Sequence, residues 1–181
     1  MLLVDLERSL LIPSESMQAA REKNSPPPDA TLEALGRIRL FDGIRPEGLA
    51  MLASIGHEET HRVGEYIFRE GDPGGSLYLI LEGAVRISRE VGGMGEEALA
   101  VLRTGDAFGE MALIDATPRS ADAKAHERCR LLVVTRDALE EVLFLRKDLA
   151  YEVLWNFVKI LTARLRETND KMAFLSASGR F

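Results

Sequence analysis

Two charged residues, Glu110 and Arg119, carry the most chemistry in this sequence. They share the stretch Phe108-Gly109-Glu110-Met111-Ala112-Leu113-Ile114-Asp115-Ala116-Thr117-Pro118-Arg119-Ser120-Ala121. Gly109 permits a tight turn and a close ligand approach. Glu110 to Leu113 can wind one helical turn, whose free N–H groups attract phosphate. Pro118 stiffens the return of the loop. Arg119 offers a planar fork of donors that fits phosphate oxygens two at a time. Glu110 cannot serve a phosphate, because like charges repel, but its carboxylate can accept from sugar hydroxyls. A ligand with one phosphate and a free ribose hydroxyl suits both residues.

This stretch resembles the phosphate-binding cassette of the cyclic nucleotide-binding domains. That family includes the bacterial catabolite activators, the regulatory subunits of protein kinase A and the cyclic nucleotide-gated channels. Its pattern runs F-G-E-[LM]-A-L, a short variable turn, then P-R-[AST]-A. Phe108, Gly109, Glu110, Met111, Ala112 and Leu113, then Pro118, Arg119, Ser120 and Ala121, match it nearly throughout. The resemblance implies that Glu110 binds the ribose 2′-hydroxyl and Arg119 the cyclic phosphate. It also implies a mainly β fold with flanking helices: an eight-stranded jelly-roll β-barrel, N-terminal helices and a long C-terminal helix. Ser120 can bond the phosphate or the exocyclic amine of a syn guanine, and cAMP is favoured over cGMP as the ligand.

Composition bounds the rest. The 181 residues suit one domain with extensions, and 46% of them are apolar, enough for a proper core. A net charge of −6 argues against a nucleic-acid surface. The one cysteine, Cys129, excludes an internal disulfide and reads as a small core residue in the run Cys129 to Val134. No apolar run approaches the roughly 18 residues a membrane span needs. The start, Met1 to Glu7, has acids where a signal peptide needs positive charge. A reducing cytoplasm is the expected compartment.

Residues 1–28 read as an appendage. Leu3, Leu6 and Leu10 share one helical face, and Ser25-Pro26-Pro27-Pro28 reads as a stiff linker. The ligand-binding unit is expected over 29–146. Asp29 or Thr31 can cap a helix with Leu32, Leu35 and Ile38 inward. Pro46 suits the first position of a second helix carrying Leu49, Leu52 and Ile55, which Gly56 ends. Short glycine-punctuated strands follow from 57 to 106, and Asp122 to Val134 supplies two more. Alternation puts Val85 with Ile87, and Leu99 with Val101, on one face each. If that face is the interior, Ile87 and Leu99 wall a pocket above the cassette.

Arg136 to Leu143 begins a helix, and 147–181 is expected to hold a long helix and a short tail. Its apolar positions Tyr151, Leu154, Val158, Leu161, Leu165, Met172 and Leu175 step by three and four, a heptad seam. At 1.5 Å per residue the seam runs ~40 Å, more than one small roll covers. A second copy is therefore expected along part of it. Thr168 interrupts the seam. In activator-type members, hydroxyl residues at mid-helix reach the purine, so the resemblance makes Thr168, with Asn169, the base-capping candidate. Trp155, beside the seam, is expected to pack against the roll rather than stack on a base.

His57-Glu58-Glu59-Thr60-His61 satisfies the H-E-x-x-H pattern of zinc peptidases, but that chemistry needs a helix. Gly56 and Gly64 bracket the segment, and as a strand it would hold the histidines about 13 Å apart. His126 stands alone, so no third ligand is evident. No Gly-x-Ser-x-Gly elbow, Walker loop, dinucleotide fingerprint or cupin His-x-His occurs. No metal and no enzymatic activity are expected.

The expected function is a cyclic nucleotide sensor, dimeric through its C-terminal helix, that moves this helix about a hinge near Leu143 to Lys147. Only Ala177 to Phe181 lies beyond the helical pattern, so no winged helix-turn-helix is expected. Direct DNA binding is not expected, and output is expected through a protein partner. The rival from another class is a dimeric interaction or scaffold protein that keeps the fold without binding ligand.

Overall fold

A computed structural model describes residues 29–93, 95–115 and 117–177. The expected appendage at 1–28 and the last residues of the tail lie outside them. Two short helices lead in: α1 (Asp29–Leu35) and α2 (Pro46–Ser54), joined through a 3-10 helix at Arg39–Phe41. Pro46 sits in the first turn of α2, where its missing N–H costs nothing. Thr31 is not a cap. It lies buried inside α1 and donates to Glu58 Oε1 at 2.5 Å.

Eight strands follow in two antiparallel four-stranded sheets. One has the order β1 (Gly56–His61), β8 (Cys129–Thr135), β3 (Ser76–Glu82), β6 (Ala107–Phe108). The other has β2 (Tyr66–Phe68), β7 (Asp122–Ala125), β4 (Ala84–Val91), β5 (Gly95–Arg103). The mainly β architecture of eight strands with flanking helices is as expected, while among the described residues no ladder joins the two sheets into a closed barrel. Strand alternation explains why β8 is apolar throughout. Cys129, Leu131 and Val133 face the core between the sheets, with Ile80, Val85 and Phe108. Leu132 and Val134 face the opposite way, into a second core under the helices, with Leu35, Ile38, Leu52, Leu77 and Leu79.

β1 is a strand, as its bracketing glycines require. His57 Nε2 and His61 Nε2 both reach the carboxylate of Glu59, at 3.0 and 3.1 Å. In the β4–β5 hairpin, Val85 opposes Leu102 and Ile87 opposes Ala100, yet Ser88 opposes Ala98. Leu99 is therefore an extra, unpaired residue, a bulge. The expected Leu99/Val101 face is corrected accordingly: Leu102 and Ala100 share the inward face with Val85 and Ile87, and Val101 opposes Arg86.

Helix α4 (Arg136–Leu145) is N-capped by Thr135, whose Oγ1 accepts from Ala138 N at 3.4 Å. Arg146 separates the two helices, and α5 (Lys147–Ala177) runs 31 residues. Its first turns are anchored. Leu149, Val153 and Phe157 are buried in the helical core. Buried Asn156 donates from Nδ2 to Leu40 O at 3.1 Å and Asp42 O at 2.8 Å. The heptad seam lies on another face: Tyr151, Leu154, Val158, Leu161, Leu165 and Met172 are exposed. Trp155 is 53% exposed, so it does not pack against the roll as expected. It stands beside Leu154, on the seam side of the helix.

Gly83 adopts φ +88°, and a Cβ there would lie 2.2 Å from Arg128 O. Gly83→Ala is expected to cost about 3 kcal/mol through this clash and the left-handed backbone. Chemical denaturation checks this, and an unchanged midpoint would contradict it.

Candidate functional site

The cassette begins where β6 ends. Gly109 turns the chain at φ +81°, and a Cβ there would sit 2.7 Å from Arg119 Nη1 and 3.0 Å from Ser76 O. The position therefore needs glycine for its backbone angle and for space. A six-residue helix, α3 (Glu110–Asp115), follows, with Met111 and Ala112 in its first turn. The loop then returns to pair with the preceding turn. Arg119 N donates to Asp72 O and Gly71 N to Arg119 O, both at 2.9 Å.

Arg119 is 5% exposed. Its Nη1 donates to Gly109 O and its Nη2 to Ser76 O, both at 3.0 Å. Its guanidinium lies 4.2 Å from the ring centre of Phe68 and 5.4 Å from that of Tyr78. Phe108 completes this floor, stacked on Tyr78 at 5.1 Å. Burial lowers the Arg119 pKa from its ordinary value, while Tyr78, Asp72 and Glu110 act against that shift. The guanidinium stays charged nonetheless. Its Nε is buried with no hydrogen-bond partner among the described residues. A buried donor left unpaired costs on the order of 1–3 kcal/mol, which an incoming anion would recover.

Glu110 is also 5% exposed, and its Oε1 is paired with Arg164 Nη1 from α5. Arg164 Nη2 donates to Ala107 O at 2.8 Å. One guanidinium thus ties the C-terminal helix to both the cassette and the strand before it. A carboxylate has about four lone-pair sites. Arg164 on Oε1 therefore does not use up the acceptor capacity of Glu110.

These residues border a cavity of about 540 Å³ between the sheets and α5. Phe108, Gly109, Glu110, Met111, Arg119, Ser120 and Ala121 line it, as do Ile87 and Leu99. Leu99 reaches it through the bulge rather than by simple alternation. The structure places Ala112 in α3. Ser120 Oγ contacts Met111 Sδ at 3.8 Å. Thr168 lines the cavity and donates to Arg164 O at 2.9 Å, so this seam position turns toward the site. Asn169 is exposed and is not part of the lining.

Sequence reasoning missed Arg164, together with Asn156, Lys159, Ile160, Glu167 and Lys171 from the same helix and Arg39 and Asp42 from the lead-in. Their signal was available in part. Positions 156, 160, 164, 167 and 171 repeat at three and four, a second face beside the seam.

A mainly β scaffold thus carries a buried arginine and a buried carboxylate on one cavity beneath a long helix. A family model described as the cyclic nucleotide-binding domain matches residues 58–145. The solved structure of a cyclic nucleotide-binding domain from Methylobacillus flagellatus KT is similar at TM-score 0.71 and 33% identity, covering 80% of this chain and 82% of that one. The cyclic AMP receptor protein of Thermus thermophilus is 39% identical over 137 residues, 76% of this chain and 62% of the relative. A CRP-like cAMP-activated global transcriptional regulator of Mycobacterium tuberculosis is 32% identical over 143 residues, 79% of this chain and 62% of the relative. The chain belongs to the cyclic nucleotide-binding domain family. It spans 62% of the length of both curated relatives.

Arg164→Ala should free the distal half of α5 from the cassette. Amide exchange over residues 163–177 is expected to rise about tenfold, with residues 149–157 unchanged. Equal exchange in both proteins would contradict the assigned role of Arg164.

Proposed function

We propose that this chain is a cyclic nucleotide sensor that prefers cAMP to cGMP. The observation that carries the reading is the placement of Glu110 and Arg119 on one cavity, with a buried Arg119 donor lacking a partner. Arg119 receives the cyclic phosphate, with Ser120 beside it. Glu110 accepts the ribose 2′-hydroxyl on Oε2 while Arg164 keeps Oε1. The purine lies against Ile87, Leu99 and the inner face of α5. No metal and no catalytic residue enters this scheme.

Base choice follows from Thr168. Its hydroxyl hydrogen is committed to Arg164 O, so toward a ligand it acts as an acceptor. An acceptor suits the 6-amino group of adenine and not the 6-oxo group of guanine. Asn169 plays no part in this scheme within one chain.

Residues 29–146 form the ligand-binding unit in this reading, and 147–181 form the lid and dimer helix, with 1–28 an appendage. The exposed seam from Tyr151 to Met172 meets the same seam of a second copy. The ligand acts by its greater affinity for the state in which Arg164 closes on the cassette. A protein partner that reads α5 receives the change, and the net charge of −6 disfavours direct binding to DNA.

Titration calorimetry with cAMP and cGMP tests the ligand assignment. Wild type is expected to bind cAMP more tightly than cGMP, and Arg119→Ala to lose about a hundredfold or more in affinity, the weight of a buried charge-assisted contact. No binding of either nucleotide by wild type would overturn the reading in favour of a scaffold. Replacing Leu161 and Leu165 together by Asp should convert a dimer to a monomer in light scattering. An unchanged mass would refute the seam as the interface.

A further inference from the structure

Two neighbouring residues of the cassette are placed oppositely. Glu110 is buried and paired with Arg164, whereas Met111, one residue on, is 54% exposed while still lining the cavity. Consecutive residues of a helix point about 100° apart, so burying the first turns the second toward the rim. Among the described residues Met111 is the one methionine of that lining. Met51 is half-buried, and Met172, as exposed as Met111, lies on the seam of α5. The binding scheme above gives Met111 no contact.

Its sulfur has a partner nonetheless. Ser120 Oγ donates to Met111 Sδ at 3.8 Å. A thioether is a weak acceptor, so this hydrogen turns readily to a stronger one. In the proposed scheme the stronger acceptor is the cyclic phosphate at Arg119. The acceptor strength of the sulfur therefore decides how freely Ser120 is released to the ligand.

Oxidation changes that strength. Hydrogen peroxide reaches an exposed thioether from solvent. The sulfur lone pair attacks one peroxide oxygen, an S–O bond forms, the O–O bond breaks, and the other oxygen leaves as water. Sulfur loses two electrons and the peroxide gains them. The sulfoxide is polar, and reductases return it to the thioether. Its oxygen is a strong acceptor next to the Ser120 hydroxyl, which it holds away from the phosphate. It also sets a partly negative atom beside the residues that receive an anion.

We propose that Met111 is an oxidation site through which a peroxide reversibly lowers the affinity of the cavity for its cyclic nucleotide. The inference deepens the cyclic nucleotide reading and rests on it for the ligand. A bound nucleotide covers the cavity side of Met111, so ligand and peroxide oppose each other.

The test treats the full chain with hydrogen peroxide, then digests a portion with trypsin. Residues 104–119 and 172–180 form separate peptides with one methionine each, Met111 and Met172. By mass, Met111 is expected to gain one oxygen, and saturating cAMP to slow that gain severalfold without affecting Met172. Calorimetry compares each protein with itself before and after peroxide. Wild type should lose about tenfold in cAMP affinity, the weight of one hydrogen bond to a charged group, and regain it after treatment with methionine sulfoxide reductase. Met111→Leu should change less than about twofold on the same treatment, which separates Met111 from Met172 and Cys129. Ser120→Ala should lose less than wild type. Oxidation of Met172 with Met111 untouched overturns the inference, as does an equal loss in wild type and Met111→Leu. An equal loss in wild type and Ser120→Ala overturns the route through the hydroxyl. Unchanged affinity in wild type oxidised at Met111 overturns the inference and leaves the cAMP reading standing. Absence of cAMP binding before peroxide overturns both.

Discussion

A carboxylate taken out of water must be paired, or it will not stay charged. Glu110 is such a carboxylate, and the guanidinium that pairs with it comes from a residue 54 positions later in the chain. This one contact organises the site. Gly109 turns the backbone so that Glu110 points inward rather than to solvent. Asn156, Leu149, Val153 and Phe157 fix the rotation of α5 so that Arg164 lands over the cassette. Arg164 also bonds Ala107 O, so strand end, cassette and helix are held by one side chain.

Helix α5 divides its work by face and by length. Its first turns belong to the hydrophobic core and to the carbonyls at the end of the 3-10 helix, which pins them. The fully buried core positions of α5 end at Phe157, with Ile160 half-buried against the same core beyond it. The inner face from Asn156 to Lys171 is polar and lines the cavity. The outer face is an exposed apolar stripe, Tyr151, Leu154, Val158, Leu161, Leu165 and Met172, interrupted at Thr168.

How much of this was legible in the sequence depended on how local the cause was. The cassette was legible because Gly109, Pro118, Glu110 and Arg119 do their work within one loop. The strands were legible from turns at Gly83 and Gly105. Closure of the roll was not, because hydrogen bonding between sheets leaves no trace in alternation within a strand. Leu99 was placed at the pocket for the wrong reason. A bulge shifts register by one residue, and only the pairing of Ser88 with Ala98 reveals it. The seam of α5 was readable from its period, but Arg164 was not, since Arg166 stands nearby on the same helix. Only packing of the first turns decides which arginine faces Glu110. Trp155 was misplaced for the same reason, one residue of helix rotation separating core from surface.

The central claim is that ligand binding acts on α5 through Glu110 and Arg164. The most direct test is a pulsed electron–electron distance between spin labels on Glu47→Cys and Phe174→Cys, both exposed positions, with Cys129 buried. Saturating cAMP should move the distance distribution by more than ~2 Å in the otherwise unaltered protein and leave it unmoved when Arg164 is replaced by Ala. An identical distribution with and without bound cAMP, or the same shift in both backgrounds, would contradict the account.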